Sequence, residues 1–153
     1  MSDELRELYQ QVILDHNKKP RNFHKIENAT HSAEGYNPLC GDHYTVYANV
    51  KDDKLEDISF EGAGCAISKS SASLMTESVK GKDLAEVNEM LDDFFAMVTD
   101  DNKFDKPVKI SAKLKKVSLL QGVCAYPTRI KCATLAWHAL RNALEKEGSA
   151  TTE

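Results

Sequence analysis

The sequence predicts an α+β fold: a small antiparallel β-sheet of about three strands with helices packed mainly on one face. Strand-like alternation is confined to residues before 61, whereas helical periodicity fills residues 3–18 and much of the chain beyond 65. The 153 residues contain no internal repeat and no linker, so one domain is expected over 1–147, with a flexible C-terminal tail at 148–153.

The elements follow in order. Leu5, Leu8, Tyr9, Val12 and Ile13 recur at helical spacing, and Pro20 ends the pattern. On residue pattern alone, this apolar stripe packs the first helix against its own sheet. Tyr44, Val46, Ala48 and Val50 alternate with polar residues, Asp52-Asp53 supplies a turn, and Ile58 and Phe60 resume the alternation: a hairpin, joined by a third strand near 31–36. From Cys65 to Val79 a Ser- and Ala-rich segment carries Ile67, Leu74, Met75 and Val79, a helix whose small residues permit close packing. Leu84, Val87, Leu91, Phe94, Phe95 and Val98 predict a helix over 83–99, and Ala133, Ala136, Trp137, Leu140 and Leu144 another over 129–146. Between them, residues 100–126 are charged at first and then carry Leu114, Val117, Leu119 and Leu120, enough for one short helix.

Composition narrows the function. A net charge of −4 and a pI near 5.7 give no general attraction to phosphate, so neither nucleic acid nor membrane is an expected partner. The N-terminus is charged, and no apolar run approaches the roughly 18 residues of a spanning helix, so a cytoplasmic protein is expected. In that reducing compartment the four cysteines are ligands, nucleophiles or buried side chains rather than two disulfides.

Three of them sit in suggestive settings: Asn37-Pro38-Leu39-Cys40-Gly41-Asp42, Gly62-Ala63-Gly64-Cys65 and Pro127-Thr128-Arg129-Ile130-Lys131-Cys132. Separations of 25 and 67 residues mean that any shared site is assembled by the fold. Cys65 lies between a glycine turn and a predicted helix, where free N–H groups favour a thiolate. Cys132 falls in the first turn or so of the last helix behind a capping Thr128, and Cys40 and Asp42 flank Gly41 ahead of a strand. Three thiolates and one carboxylate would complete a tetrahedral zinc shell. Each cysteine alone is as readily a small buried hydrophobe as a ligand, and Asp42 alone an ordinary turn residue. Cys124 reads as an incidental thiol. His16, His24, His31 and His138 read as surface or packing residues, with His43 retained as a residue that supports a ligand.

At this point the residues resemble a known family. Leu8-Tyr9, Asp15-His16, Pro20-Arg21-Asn22, Asn37-Pro38, Cys40-Gly41-Asp42, Phe60-Glu61-Gly62, Gly64-Cys65-Ala66-Ile67-Ser68, Gly81-Lys82 and Arg129 through Trp137 are similar to the U-type iron–sulfur cluster assembly proteins, the IscU and NifU N-terminal family. Lys131, where scaffold-type members carry His, and the longer segment before Cys132 resemble the SufU branch.

The resemblance implies a SufE/NifU-like fold in which Cys40, Asp42, Cys65 and Cys132 gather at one end and bind zinc or a nascent cluster. It further implies a zinc-dependent sulfurtransferase that accepts persulfide sulfur on Cys40 from a PLP-dependent, SufS-type cysteine desulfurase, an activator of that enzyme rather than a stand-alone one. Sulfur would pass to a downstream scaffold or apo-proteins. Arg129 would steady the carboxylate or the released thiolate, a role weighed against that of a solvated charge, and the N-terminal region would dock the desulfurase. The alternative is a scaffold on which a transient [2Fe-2S] cluster is assembled on the same residues. Lysine at 131 favours the sulfurtransferase, because its charged amine cannot ligate. A third reading is a structural zinc domain that only binds partners.

Overall fold

A computed structural model describes residues 3–99, 114, 116–120, 127–145 and 149–151. The order is α1 (Asp3–Lys18), β1 (His31–Asn37), β2 (Asp42–Lys51), β3 (Lys54–Ala63), α2 (Ala66–Val79), α3 (Leu84–Thr99), α4 (Pro127–Leu144) and β4 (Ser149–Thr151). The first three strands form the expected antiparallel meander, in sheet order β3-β2-β1-β4. Asp52 and Asp53 both take positive φ, 54° and 60°, which is the backbone of the tight turn that matches strand twist.

Alternation decides which face is covered. Asp42, Tyr44, Val46 and Ala48 of β2 and Ala33 and Asn37 of β1 are buried, while His43, Ser32, Glu34 and Tyr36 point the other way and are exposed. α4 packs on the buried face against β1 and β2. It approaches so closely at Gly35 that an added Cβ would lie 3.1 Å from Leu135. α4 runs antiparallel to β1, so moving from Gly35 to Asn37 along the strand is matched by moving from Leu135 back to Cys132 along the helix. That register brings Cys132 to the end of the sheet where β1 turns into β2. In the core, Phe94 stacks on Trp137 with centroids 3.9 Å apart.

α1 packs on α2 rather than on the sheet, correcting the expectation from its apolar stripe. The reason lies in α2, whose small residues form a groove: Ser70, Ser71, Ala72 and Ser73 are all buried. Ser70 Oγ donates to the Ile13 carbonyl at 2.7 Å, His16 Nδ1 meets Ser73 Oγ at 2.7 Å, and the Arg21 N–H donates to the same hydroxyl at 2.8 Å. On the opposite side, Ser71 Oγ accepts from Trp137 Nε1 at 2.9 Å and donates to the Ala133 carbonyl at 2.6 Å. α2 is therefore the central helix, joined on both flanks by hydroxyls.

Two further expectations change. Ser149–Thr151, read as part of a flexible tail, forms β4 and pairs parallel with β1 from Glu34 to Tyr36. α4 delivers the chain beside the free backbone groups of the β1 edge, which a fourth strand satisfies. α4 starts at Pro127 rather than near 129, since proline is at home in a first helical turn where its missing N–H costs nothing. Cys132 is thus in the second turn, and Thr128 lies inside the helix instead of capping it. Of the segment 100–126, the described part is Leu114 and a 3₁₀ turn at 116–120, with Leu114, Val117 and Leu120 buried. Cys124 lies outside the described residues.

Candidate metal centre

Three elements converge on the end of the sheet at the β1–β2 loop, away from the Asp52-Asp53 turn. The loop 38–41 joins β1 to β2, and the Cys40 N–H donates to the Asn37 carbonyl at 3.3 Å to close its turn. Gly41 has φ +70°, a conformation in which glycine is unstrained, and Cys40 just before it is exposed. Asp42 opens β2, pairs in register with Asn37 and is fully buried. Cys65 is half-buried and caps α2, its sulfur accepting from the Ser68 N–H at 3.4 Å. Cys132 arrives on α4, with 3% of its surface exposed.

The donor atoms of Cys40, Asp42 and Cys132 all lie within 4.8 Å of one another. The two sulfurs of Cys132 and Cys40 are 3.3 Å apart, and the Cys65 sulfur joins through Asp42, 4.0 Å from Oδ2. Asp42 is oriented from both sides: Oδ1 accepts the Cys65 N–H at 2.8 Å, while Oδ2 accepts from Asn37 Nδ2 at 3.3 Å. That leaves Oδ2 turned toward the sulfurs.

Supporting residues enforce this arrangement. Tyr44 hydrogen-bonds Ser68 Oγ at 3.2 Å, and Ser68 Oγ donates to the Cys65 carbonyl at 3.0 Å. Burial, partly offset by the Ser68 bond, pushes the Tyr44 phenol up to about 12, and the charge of Asp42 adds to the rise. Tyr44 is therefore a neutral donor at physiological pH. A Cβ at Gly64 would sit 2.5 Å from Asp42 Oδ1, 2.6 Å from Ser68 Oγ and 2.7 Å from the Tyr44 hydroxyl, so only glycine fits here.

Electrostatically the cluster is one-sided. Burial pushes the Cys132 thiol up, and bonds to Cys40 and Cys65 and the charge of Asp42 push it the same way. The neighbouring thiols and carboxylate thus oppose ionisation of Cys132. A divalent cation reverses that balance, because it favours every anionic form at once. In a tetrahedral shell with metal–sulfur bonds of about 2.3 Å, donors are separated by roughly 3.8 Å. The observed separations, 3.3 Å between the Cys132 and Cys40 sulfurs and 4.0 Å between the Cys65 sulfur and Asp42 Oδ2, lie within about half an ångström of a tetrahedral shell, and the donor set of three sulfurs and one oxygen suits zinc.

Other expected residues fall outside the cluster. His43 points to the exposed sheet face, where it pairs with Glu34 at 3.6 Å and meets Tyr36 edge-on; strand alternation sends 43 away from 42. His16 is buried in the α1–α2 seam. Arg129 is exposed in the first turn of α4, and its charge favours ionisation of Tyr9, against the larger opposing effect of burial. Asn37, Tyr44, Gly64 and Ser68 had no assigned role in the sequence reading. Asn37 alone left a usable signal, as the cross-strand partner of a suspected ligand.

Among the described residues no helix is long and apolar enough to cross a membrane. The family model described as the NifU-like N-terminal domain matches residues 8–133. The chain is 41% identical over 140 residues to a zinc-dependent sulfurtransferase SufU of Bacillus subtilis, covering 92% of this chain and 91% of that one. It is 38% identical to an iron–sulfur cluster assembly scaffold protein IscU of Streptococcus pyogenes, covering 95% and 88%. Among solved structures, a putative iron–sulfur cluster assembly scaffold protein for the SUF system from Fervidobacterium islandicum superposes with TM-score 0.76 at 36% identity, covering 88% of this chain and 94% of that one.

Proposed function

The chain belongs to the family of NifU-like N-terminal domains, and from that membership we propose that it is a zinc-dependent sulfurtransferase of iron–sulfur cluster biogenesis. It takes persulfide sulfur from a SufS-type, PLP-dependent cysteine desulfurase in the cytoplasm and passes it to a downstream scaffold or apo-protein. Cys40, Asp42, Cys65 and Cys132 would hold the zinc. Bound there, the metal supplies charge that keeps the thiols as thiolates near neutral pH.

One observation carries the choice of acceptor: of the three clustered cysteines, Cys40 alone is exposed, on a loop between two strands, while Cys132 is buried in a helix. The Cys40 thiolate attacks the outer sulfur of the desulfurase persulfide. A new bond forms between Cys40 Sγ and that sulfur, the desulfurase S–S bond breaks, and the desulfurase cysteine leaves as a thiolate. No net oxidation occurs. Asp42, Cys65 and Cys132 stay in place, and Arg129 steadies the negative charge at the entrance.

A [2Fe-2S] scaffold is the second reading, supported by the similarity to IscU scaffolds. Lys131 weighs against it, since a lysine beside Cys132 offers no neutral nitrogen donor. Plasma mass spectrometry and the visible spectrum of protein purified without added metal separate the two. About one zinc per chain and a colourless solution is the expected result. Iron, sulfide and a brown chromophore would establish the scaffold. Cys40→Ala is expected to abolish both persulfide uptake and stimulation of the desulfurase; retained stimulation would leave only a structural zinc domain.

A further inference from the structure

Asn37 ends β1 and is fully buried. It touches three of the four donor residues. Its carbonyl holds the Cys40 turn, and its Nδ2 donates to Asp42 Oδ2 at 3.3 Å and approaches Cys132 Sγ at 3.6 Å. A carboxylate and a sulfur on the same side require the amide nitrogen, not Oδ1, to face the centre. Oδ1 is left buried without a hydrogen-bond partner among the described residues. The amide thus serves the centre at the cost of a buried oxygen left without a partner.

From these contacts we infer that Asn37 is a positioning residue that decides which cysteine accepts sulfur, an inference resting on the sulfurtransferase reading above. One amide nitrogen serves two donor residues. It holds Asp42 from the side opposite the Cys65 N–H, and it occupies a lone pair of Cys132. A hydrogen bond donated to a thiolate withdraws electron density and makes that sulfur a poorer nucleophile. Cys40 receives only the backbone turn from Asn37 and faces solvent. The asymmetry keeps Cys132 as a holding group and leaves Cys40 as the sulfur that reacts.

Asn37→Leu keeps the branched shape without either N–H, and Asn37→Asp keeps the shape while replacing the donor by an acceptor. Each is purified as the full chain, and its zinc content and circular dichroism are recorded first. Alkylation by iodoacetamide, without any desulfurase, is then followed cysteine by cysteine by mass spectrometry. In the zinc-loaded proteins, where the metal would hold Cys132 as a thiolate, the Cys132-to-Cys40 rate ratio is expected to rise about tenfold in Asn37→Leu, the order expected for one hydrogen bond to a charged group. With desulfurase and free cysteine, persulfide is expected on Cys132 as well as Cys40. An unchanged ratio, with persulfide confined to Cys40 in a folded variant, overturns the inference. Asn37→Asp gives the same readout where the leucine variant does not fold, and loss of zinc from both folded variants overturns the inference in favour of a metal-holding role. Persulfide on no cysteine of the wild type would sink the sulfurtransferase reading instead, while the alkylation ratio would still judge Asn37.

Discussion

Two buried polar regions lie on the same helix, one at its N-terminus and one along its middle, and they are built on different principles. In the seam between α1, α2 and α4, almost every hydroxyl finds a partner within the protein: Ser70 with Ile13, Ser71 with Trp137 and Ala133, Ser73 with His16 and Arg21. In the centre at the N-terminus of α2, three thiols and a carboxylate face few donors, chiefly Asn37 Nδ2 and the Cys65 N–H. The seam's serine hydroxyls are satisfied without a ligand, and His16 Nε2 is its buried atom left without a partner among the described residues. The centre has a surplus of lone pairs and acidic protons, and that surplus distinguishes a binding site from a packed polar core.

The comparison breaks most easily by taking the cation away. Zinc at a hundredfold excess over its dissociation constant adds about 2.7 kcal/mol to stability. A strong chelator is therefore expected to lower the unfolding midpoint of the as-purified protein by roughly 10 °C, read by circular dichroism. An unchanged midpoint would mean the centre is as self-sufficient as the seam. A smaller change at the centre is Gly64→Ala, whose Cβ displaces Asp42, Ser68 and Tyr44 together. It is expected to weaken zinc binding about ten- to a hundredfold in a competition titration while leaving the fold intact.

The converse test lies in the seam. Ser71→Ala strands the Trp137 indole N–H and removes the extra bond to the Ala133 carbonyl, and is expected to cost about 1–3 kcal/mol in urea unfolding with zinc stoichiometry unchanged. Loss of zinc in this variant would show that the two regions are not separable.

The smallest effect concerns pH. Burial, with help from the charges of Arg21 and Lys116 and against those of Glu77 and Asp15, holds the His16 imidazole below its ordinary value. The unfolded chain then binds the proton more readily than the folded one. The His16 contribution is fully present above about pH 6.5, the unfolded value, and declines as pH falls toward the lower folded value. The stability advantage of wild type over His16→Gln should shrink between pH 7 and 5. A constant difference would remove His16 titration from the account.

What could be read from sequence follows the same division. Helix periodicity located α1, α3 and α4 because each buries one stripe, and strand alternation gave the hairpin and its Asp52-Asp53 turn. The four expected donor residues stood out only as a set, through their glycine-turn and helix-start settings and the resemblance to a known family, since each alone reads as readily as a buried or turn residue. The supporting residues were not, since Tyr44 lies within an ordinary strand alternation and Ser68 in a serine-rich run. The serines of α2 appeared only as small; their hydrogen bonds depend on α1 and α4 lying on either side. β4 was missed because three residues carry no period, and it exists only where α4 leaves the chain beside an open sheet edge.

The chain order of the donors has a consequence for biosynthesis. Cys40, Asp42 and Cys65 emerge from the ribosome early, but the helix bearing Cys132 comes late, after α3 and the segment that follows it. Domains ordinarily fold as units as their chains emerge. A nascent chain lacking α4 lacks both the third thiol and the wall that buries Asp42. Metal capture by all four residues would thereby wait until α4 has been made, and an occupied centre would mark a chain translated through Cys132.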